Sequence, residues 1–125
     1  EDGIRDLVRS RGLGDVYKRQ DGVNIYEATK AILSVFPLDS FIPHPVERME
    51  IDGKPEEVND VHQDLIDTVK KVSGANWKVG SVERQKFYVE ARKAMAVITT
   101  SDTRPYGCFM FTKGVLKPDG SVWII

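Results

Sequence analysis

With one cysteine, two histidines, no long apolar run and almost no charge imbalance, this 125-residue sequence lacks most of the features that announce a function class. Cys108 has no partner for an internal disulfide, and no secretory signal opens the sequence as given, so a reducing cytoplasm is the expected compartment. His44 and His62 have no ligand-spaced Cys or His beside them, which excludes the closed zinc patterns, and no metal is expected. The apolar runs fall far short of the roughly 20 residues that a membrane-spanning helix needs. Eighteen basic against nineteen acidic residues leave a net charge of −1, with no block of like charges, so neither nucleic acid nor membrane is an expected partner. A glycine-rich phosphate loop is absent too: Gly12 and Gly14 in "RGLGD" lack the strand before and the lysine after. There is no internal repeat and no low-complexity segment.

What is present suits one globular domain, with 41% hydrophobic and 30% charged residues. Residues 1–20 stand apart, showing neither a sustained helical stripe nor a strand alternation that joins naturally to the residues from Asp21 onward. The stretch "IRDLVRSRGLGDVYKRQ" resembles translated adaptor sequence found at the ends of fragmentary reading frames assembled from environmental reads. On that reading residues 1–20 are non-native, residues 21–125 form the domain, and an N-terminal segment is missing. The alternative is a native helix, since "IRDLVRSR" can form two amphipathic turns.

From Asn24 the pattern is regular. Asn24 and Glu27 make a capping box before "IYEATKAILSVF", a helix ending before Pro37 with Ile25, Ala28, Ile32 and Val35 on one face. "LDSFIPHP" is a loop expected to bury Phe41 and Ile42, and "VERMEI" alternates as a strand with one wet face. After the Asp52-Gly53 turn, Pro55 suits the first position of a second helix, with Val58, Val61, Leu65, Ile66, Val69 and Val72 as its buried stripe and Gly74 as its stop. "WKVGSV" is a short strand, and Ser81 is expected to cap a helix from about Glu83 to Lys93 that turns Phe87, Tyr88 and Ala91 inward. "AMAVITT" reads as a buried strand with "CFMFTKGVL" as its neighbour, and the Asp119-Gly120 turn leads into a last strand, "SVWII". This order predicts an α/β fold: a three-layer, largely parallel open sheet with helices on both faces, incomplete at the N-terminus.

In such sheets ligands sit outside the carboxyl ends of the strands, where "AMAVITT" runs into "SDTRPYG". Arg84 comes just after another strand and can face the same opening. A guanidinium, the Tyr106 hydroxyl and the close backbone approach that Gly107 allows would suit a neutral polyhydroxylated molecule. Each residue also has a plainer reading. Pro-Tyr-Gly is a common turn, Arg84 can be a solvated partner of Asp102 or a nearby Glu, and Cys108 can be a small packed hydrophobe. His44 and His62 read as structural or exposed.

The stretch "FYVEARKAMAVITTSDTRPYGCFMFTKGVL", preceded by "DGVNIYEATKAILSVFPLDSF", resembles the ribose pyranase and L-fucose mutarotase family over residues 21 to about 116, and its fucose branch more than its ribose branch. The resemblance implies aldose anomer interconversion without a cofactor, a monosaccharide partner, and ring-shaped homo-oligomers, commonly decamers. Phe109, Phe111 and Trp123 are candidate exposed apolar contacts for such a ring. It also implies that Arg84 contacts sugar and that Tyr106, Gly107 and Cys108 stand for the family's Tyr-Gly-Asn, with Cys108 departing from Asn. The family's proton-donating His lies in an H-G-D-like motif near the N-terminus, with a substrate-binding Asp a few residues later; "GLGDVY" has Leu13 where that His belongs. The expectation is a fragment of a mutarotase that is inactive or nearly so in this form. The alternatives are a non-catalytic sugar-binding or oligomerising module and an enzyme using Cys108 as nucleophile.

Overall fold

The computed structural model describes residues 5–9, 18–20, 22–74 and 77–123. They form β1 (Arg5–Arg9), β2 (Lys18–Gln20), α1 (Ile25–Leu33), β3 (Val46–Met49), α2 (Asp60–Ser73), β4 (Val79–Val82), α3 (Arg84–Ala91), β5 (Ala96–Thr100) and β6 (Cys108–Thr112). The strands make one sheet in the order β2-β5-β1-β6-β3-β4. The pairings β1 with β5, β2 with β5 and β3 with β4 are parallel, whereas β6 runs antiparallel to both β1 and β3.

Two sequence expectations about the sheet change here. β5 and β6 are not neighbours, because β1 lies between them and pairs with both. The first twenty residues, whose local pattern predicts no strand, supply β1 and β2 to the sheet.

β6 shows why the sheet has three layers. All five of its residues are buried. Phe109 and Phe111 point into a core with Ile25, Ala28 and Leu33 of α1 and Val61, Leu65 and Val69 of α2, while Cys108 and Met110 point into a second core with Phe87 of α3, Met49 and Val82. Burying each phenylalanine contributes about 2 kcal/mol or more. The two-residue period of the strand thus distributes its side chains to helices on opposite faces. Phe109 and Phe111 are therefore core residues with no exposed surface, and Trp123, half-exposed, is the one of the three expected contact residues that reaches the outside.

Helix boundaries are set by the caps. Asn24 and Glu27 form the expected capping box, but α1 ends at Leu33, so Val35 falls past the helix and is 84% exposed, while Leu33 is buried in its place. α2 starts at Asp60 rather than Pro55: Asn59 is the N-cap, its side chain accepting from the His62 amide, and Val58 lies outside the helix and is exposed. Gly74, at φ 103°, closes α2 as expected. Glu83, not Ser81, caps α3, accepting from the Gln85 and Lys86 amides, and Ser81 Oγ instead donates to Glu50 at 2.8 Å. In the loop after α1 Leu38 is buried and Phe41 half-exposed, edge-on to Trp123. β3 has no fully wet face: Arg48 is buried, with Nη2 donating to the Pro55 carbonyl at 3.2 Å. The C-terminal segment makes a single Leu116–Val122 bridge rather than a strand, and residues 124–125 of the expected "SVWII" lie outside the described residues.

Beyond β6, the Gly114 amide donates to the Pro37 carbonyl at 2.7 Å and a Cβ at Gly114 would stand 2.5 Å from the Leu38 oxygen. Backbone faces backbone there, leaving no side chain to yield. Gly114→Ala is expected to cost about 2 kcal/mol in urea denaturation, and an unchanged midpoint would show that the 37–39 segment moves freely away from β6.

Candidate functional site

Arg48 of β3 pairs with Phe109 and Val46 with Phe111, so β6 begins at the edge where β3 and its parallel partner β4 end. By the same register Arg9 of β1 meets Cys108, which puts the carboxyl ends of β1 and β5 on this edge too. The loop from Ser101 to Gly107 crosses that edge. Its two halves do different work.

"SDTR" is a latch. The Ser101 amide and hydroxyl both donate to the Val23 carbonyl at 2.9 Å. Asp102 Oδ2 accepts the Ile25 amide at 3.1 Å, placing a carboxylate on the first turn of α1, where the helix dipole favours it. Arg104 forks the same carboxylate, Nε to Oδ1 at 3.0 Å and Nη2 to Oδ2 at 2.8 Å, and its Nη1 pairs with Asp64 of α2. The paired guanidinium holds the Asp102 carboxyl down at about 2, against the desolvation that opposes it. Arg104 is correspondingly held above its ordinary range by Asp102 first and then Asp64.

"PYG" is the wall of a cleft. Tyr106 adopts φ 59°, the one non-glycine residue in the left-handed region among the described residues. Its hydroxyl accepts from the Asp52 amide at 3.3 Å, and Asp52 Oδ2 accepts from Arg84 Nε at 2.8 Å. Asp52 raises the affinity of Arg84 for its proton by its charge and its hydrogen bond. Arg84, Tyr106, Gly107 and Cys108 line one open cleft of ≈ 380 Å³, completed by Asp52, Met49, Tyr88, Thr103, Arg104 and Pro105. The four residues singled out in the sequence are thus brought together. The expected pairing of Arg84 with Asp102 or a Glu is not formed: Asp102 is taken by Arg104, and Arg84 pairs with Asp52.

Asp52 and Tyr88 are cleft residues that the sequence did not disclose as such; the Asp-Gly pair signalled only a turn. Neither histidine lines the cleft. His62 is fully buried, with Nδ1 3.4 Å from the Asn59 amide and Nε2 3.0 Å from the Tyr106 carbonyl, so its neutral ring carries the proton on Nε2. His44 is exposed and lies against Gly80. Cys108 is buried at the cleft floor and neither histidine lines the cleft, which favours the packing role over the nucleophile. Among the described residues no cluster of three or more His, Cys, Asp and Glu could hold a metal ion, and no helix is long and apolar enough to cross a membrane.

The family described as the RbsD / FucU transport protein family matches residues 7–116. The chain belongs to this family. Its relatives include the fucose mutarotase of Danio rerio, 36% identical over 111 residues that span 85% of this chain and 70% of that protein. Among solved structures, FucU from Bifidobacterium longum superposes with a TM-score of 0.81 at 27% identity, covering 93% of this chain and 87% of the other. The fucose mutarotase from Streptococcus pneumoniae, solved in complex with L-fucose, shares the fold with a TM-score of 0.81 at 22% identity, covering 94% and 86%. The solved neighbours share the α/β architecture expected from the order of elements, and the family match begins within the first twenty residues.

The site's electrostatics set the acid response of the fold. Burial lowers the His62 pKa from its ordinary 6.5, with Arg48 of β3 adding to the effect and hydrogen bonds to the Tyr106 and Met49 backbone opposing it. The unfolded chain therefore takes up a proton that the folded chain resists, and stability should fall as pH drops below about 6.5. Asp102, lowered from 3.8 to about 2, adds a contribution of about 2 kcal/mol that is complete above pH 4 and lost through pH 2. Urea denaturation from pH 8 to 2 should show both declines, with His62→Gln removing the first and Asp102→Asn the second. A flat profile through pH 6 would contradict a buried neutral His62.

Proposed function

We propose that this domain binds a monosaccharide, L-fucose or a related aldose, and that the protein it represents is a cofactor-independent aldose mutarotase. The observation that carries the reading is the convergence of Arg84, Asp52 and Tyr106 on one cleft beside the Gly107 backbone. A guanidinium donates to ring or hydroxyl oxygens, a carboxylate accepts from hydroxyls, and a phenol does either, a set matched to a neutral polyol. The cleft volume lies within the roughly 300–1,000 Å³ of small-molecule sites. The fucose mutarotases among its relatives and the L-fucose complex of a fold neighbour support the same substrate class.

Mutarotation removes the proton of the anomeric hydroxyl while the ring oxygen is protonated, so that the C1 to ring-oxygen bond breaks. Rotation and reclosure on the other face of the aldehyde give the second anomer, with no net gain or loss of atoms. The work requires a group that takes and returns a proton near neutral pH. Asp52, Tyr88 and Tyr106 are the cleft's ionisable oxygen groups, and neither histidine reaches it. The family's H-G-D motif has Leu13 in place of its His here, at a position outside the described residues. The reading therefore assigns sugar holding to this chain, with little or no turnover. It keeps residues 1–20 as adaptor-derived. A parent gene encoding H-G-D before Asp21 supports that assignment, and one that begins "EDGIRDLVRS" overturns it. Assembly into a homo-oligomeric ring belongs to the same proposal, supported by the half-exposed Phe41, Val115, Leu116 and Trp123.

Saturation-transfer NMR of anomer exchange tests the reading. L-fucose should bind this chain without exchange, and a version with a family-type N-terminus carrying H-G-D should exchange the anomers of L-fucose and D-ribose. Binding by both with exchange by neither would establish the sugar-binding module instead, and loss of exchange on thiol alkylation would implicate Cys108. Arg84→Gln should weaken fucose binding at least about tenfold. It should lower the melting midpoint by no more than about 4 °C, because an exposed ion pair adds little to stability.

A further inference from the structure

We propose that Asn59 and His62, neither of which lines the cleft, are positioning residues that hold Tyr106 in its sugar-facing conformation. The inference rests on the sugar-binding reading of the cleft. Each of the two residues carries one hydrogen-bonding group more than the start of α2 requires. A helix N-cap needs only a side-chain oxygen, which Asn59 supplies to the His62 amide at 3.1 Å. The reaching-back group of a capping box needs only an acceptor, which His62 supplies with Nδ1 to the Asn59 amide at 3.4 Å. A Ser and a Gln would serve α2 equally.

The surplus groups are both donors, and both go to the same place. Asn59 Nδ2 donates to the Pro105 carbonyl at 3.0 Å, and His62 Nε2 donates to the Tyr106 carbonyl at 3.0 Å. Two consecutive carbonyls are thereby drawn toward α2 at the residue whose φ of 59° an L side chain rarely adopts. A strained conformation persists only where its surroundings over-determine it. With its carbonyl held on the helix side, the side chain of Tyr106 goes the other way, over the cleft, where the hydroxyl meets the Asp52 amide. The His62 ring packs nearly perpendicular to that of Phe109, which fixes the imidazole from behind. Asn59 and His62 thus transmit the rigidity of the helix layer to a loop that has no regular structure of its own.

The test uses the full chain with Asn59→Ser and His62→Gln, singly. Both keep the cap; Asn59→Ser removes one tether outright, and His62→Gln replaces the rigid ring that aims its donor at Tyr106 with a flexible amide. Two readouts are taken beside the melting midpoint: the nuclear Overhauser contact between the Tyr106 ring and the Asp52 amide, and L-fucose affinity by NMR titration. Each variant should lose or weaken the ring contact and bind fucose about five- to tenfold more weakly, at a midpoint within a few degrees of the unsubstituted chain at pH 7.5. If both variants keep the ring contact and the affinity, the positioning role is overturned. If the unsubstituted chain binds no sugar but the variants still lose the ring contact, the binding reading fails while the mechanical role of Asn59 and His62 stands. If His62→Gln fails to fold, Asn59→Ser alone decides between these outcomes.

Discussion

The carboxylate of Asp102 is the point on which the site end of the domain depends. It receives the first amide of α1, and Arg104 forks it while also reaching Asp64 of α2. The end of β5 and the two helices of one layer are therefore joined through the Asp102–Arg104 pair, in which the Asp102 side chain is 4% exposed and its charge is matched in place. Charge-assisted, two-pronged bonds of this kind are shorter and stronger than neutral ones, and their geometry leaves little freedom. The loop beyond Arg104 starts from a fixed position because of it.

From that start the chain must reach β6, and the path through Tyr106 is strained. The strain is met by donors from the N-terminus of α2 and by the hydroxyl contact to the Asp52 turn. The cleft that results is built from groups contributing little to stability. Arg84 and Asp52 are substantially exposed, and water competes for such a pair. The same exposure leaves their polar atoms open to a ligand. Stability is concentrated in the buried latch and the two cores; on the proposed sugar-binding reading, recognition falls to the solvated cleft beside them.

The two-sided burial of β6 links these parts. Phe109 and Phe111 anchor it to α1 and α2, while Cys108 and Met110 anchor it to α3, whose first residue is Arg84. A sugar held between Arg84 and Tyr106 would lie beside the second core, against which Tyr106 and α3 both pack. Where the sequence places Cys108 against the family's Asn, the residue lies at the junction of the cleft and the second core. Its side chain packs as part of the second core there, and on the proposed reading a backbone contact to sugar at this place would survive the change from Asn.

Local sequence determined what local physics controls: the capping box at Asn24, the stop at Gly74, the inward face of α3, and the polar loop between two apolar strands. Arg84, Tyr106 and Gly107 were legible as cleft candidates because they stand at strand ends, and Cys108 through the family resemblance, although it packs into the second core. The tertiary structure alone decided the rest. β1 between β5 and β6, the partner of Arg84, the burial of Arg48 and His62, and the place of Asp52 in the cleft all depend on contacts between residues far apart in the chain. No periodicity encodes such contacts. An Asp-Gly pair reads as a turn whether or not a tyrosine 54 residues away leans on it, and a histidine on a helix reads equally as structural or exposed until the packing of a distant loop decides it.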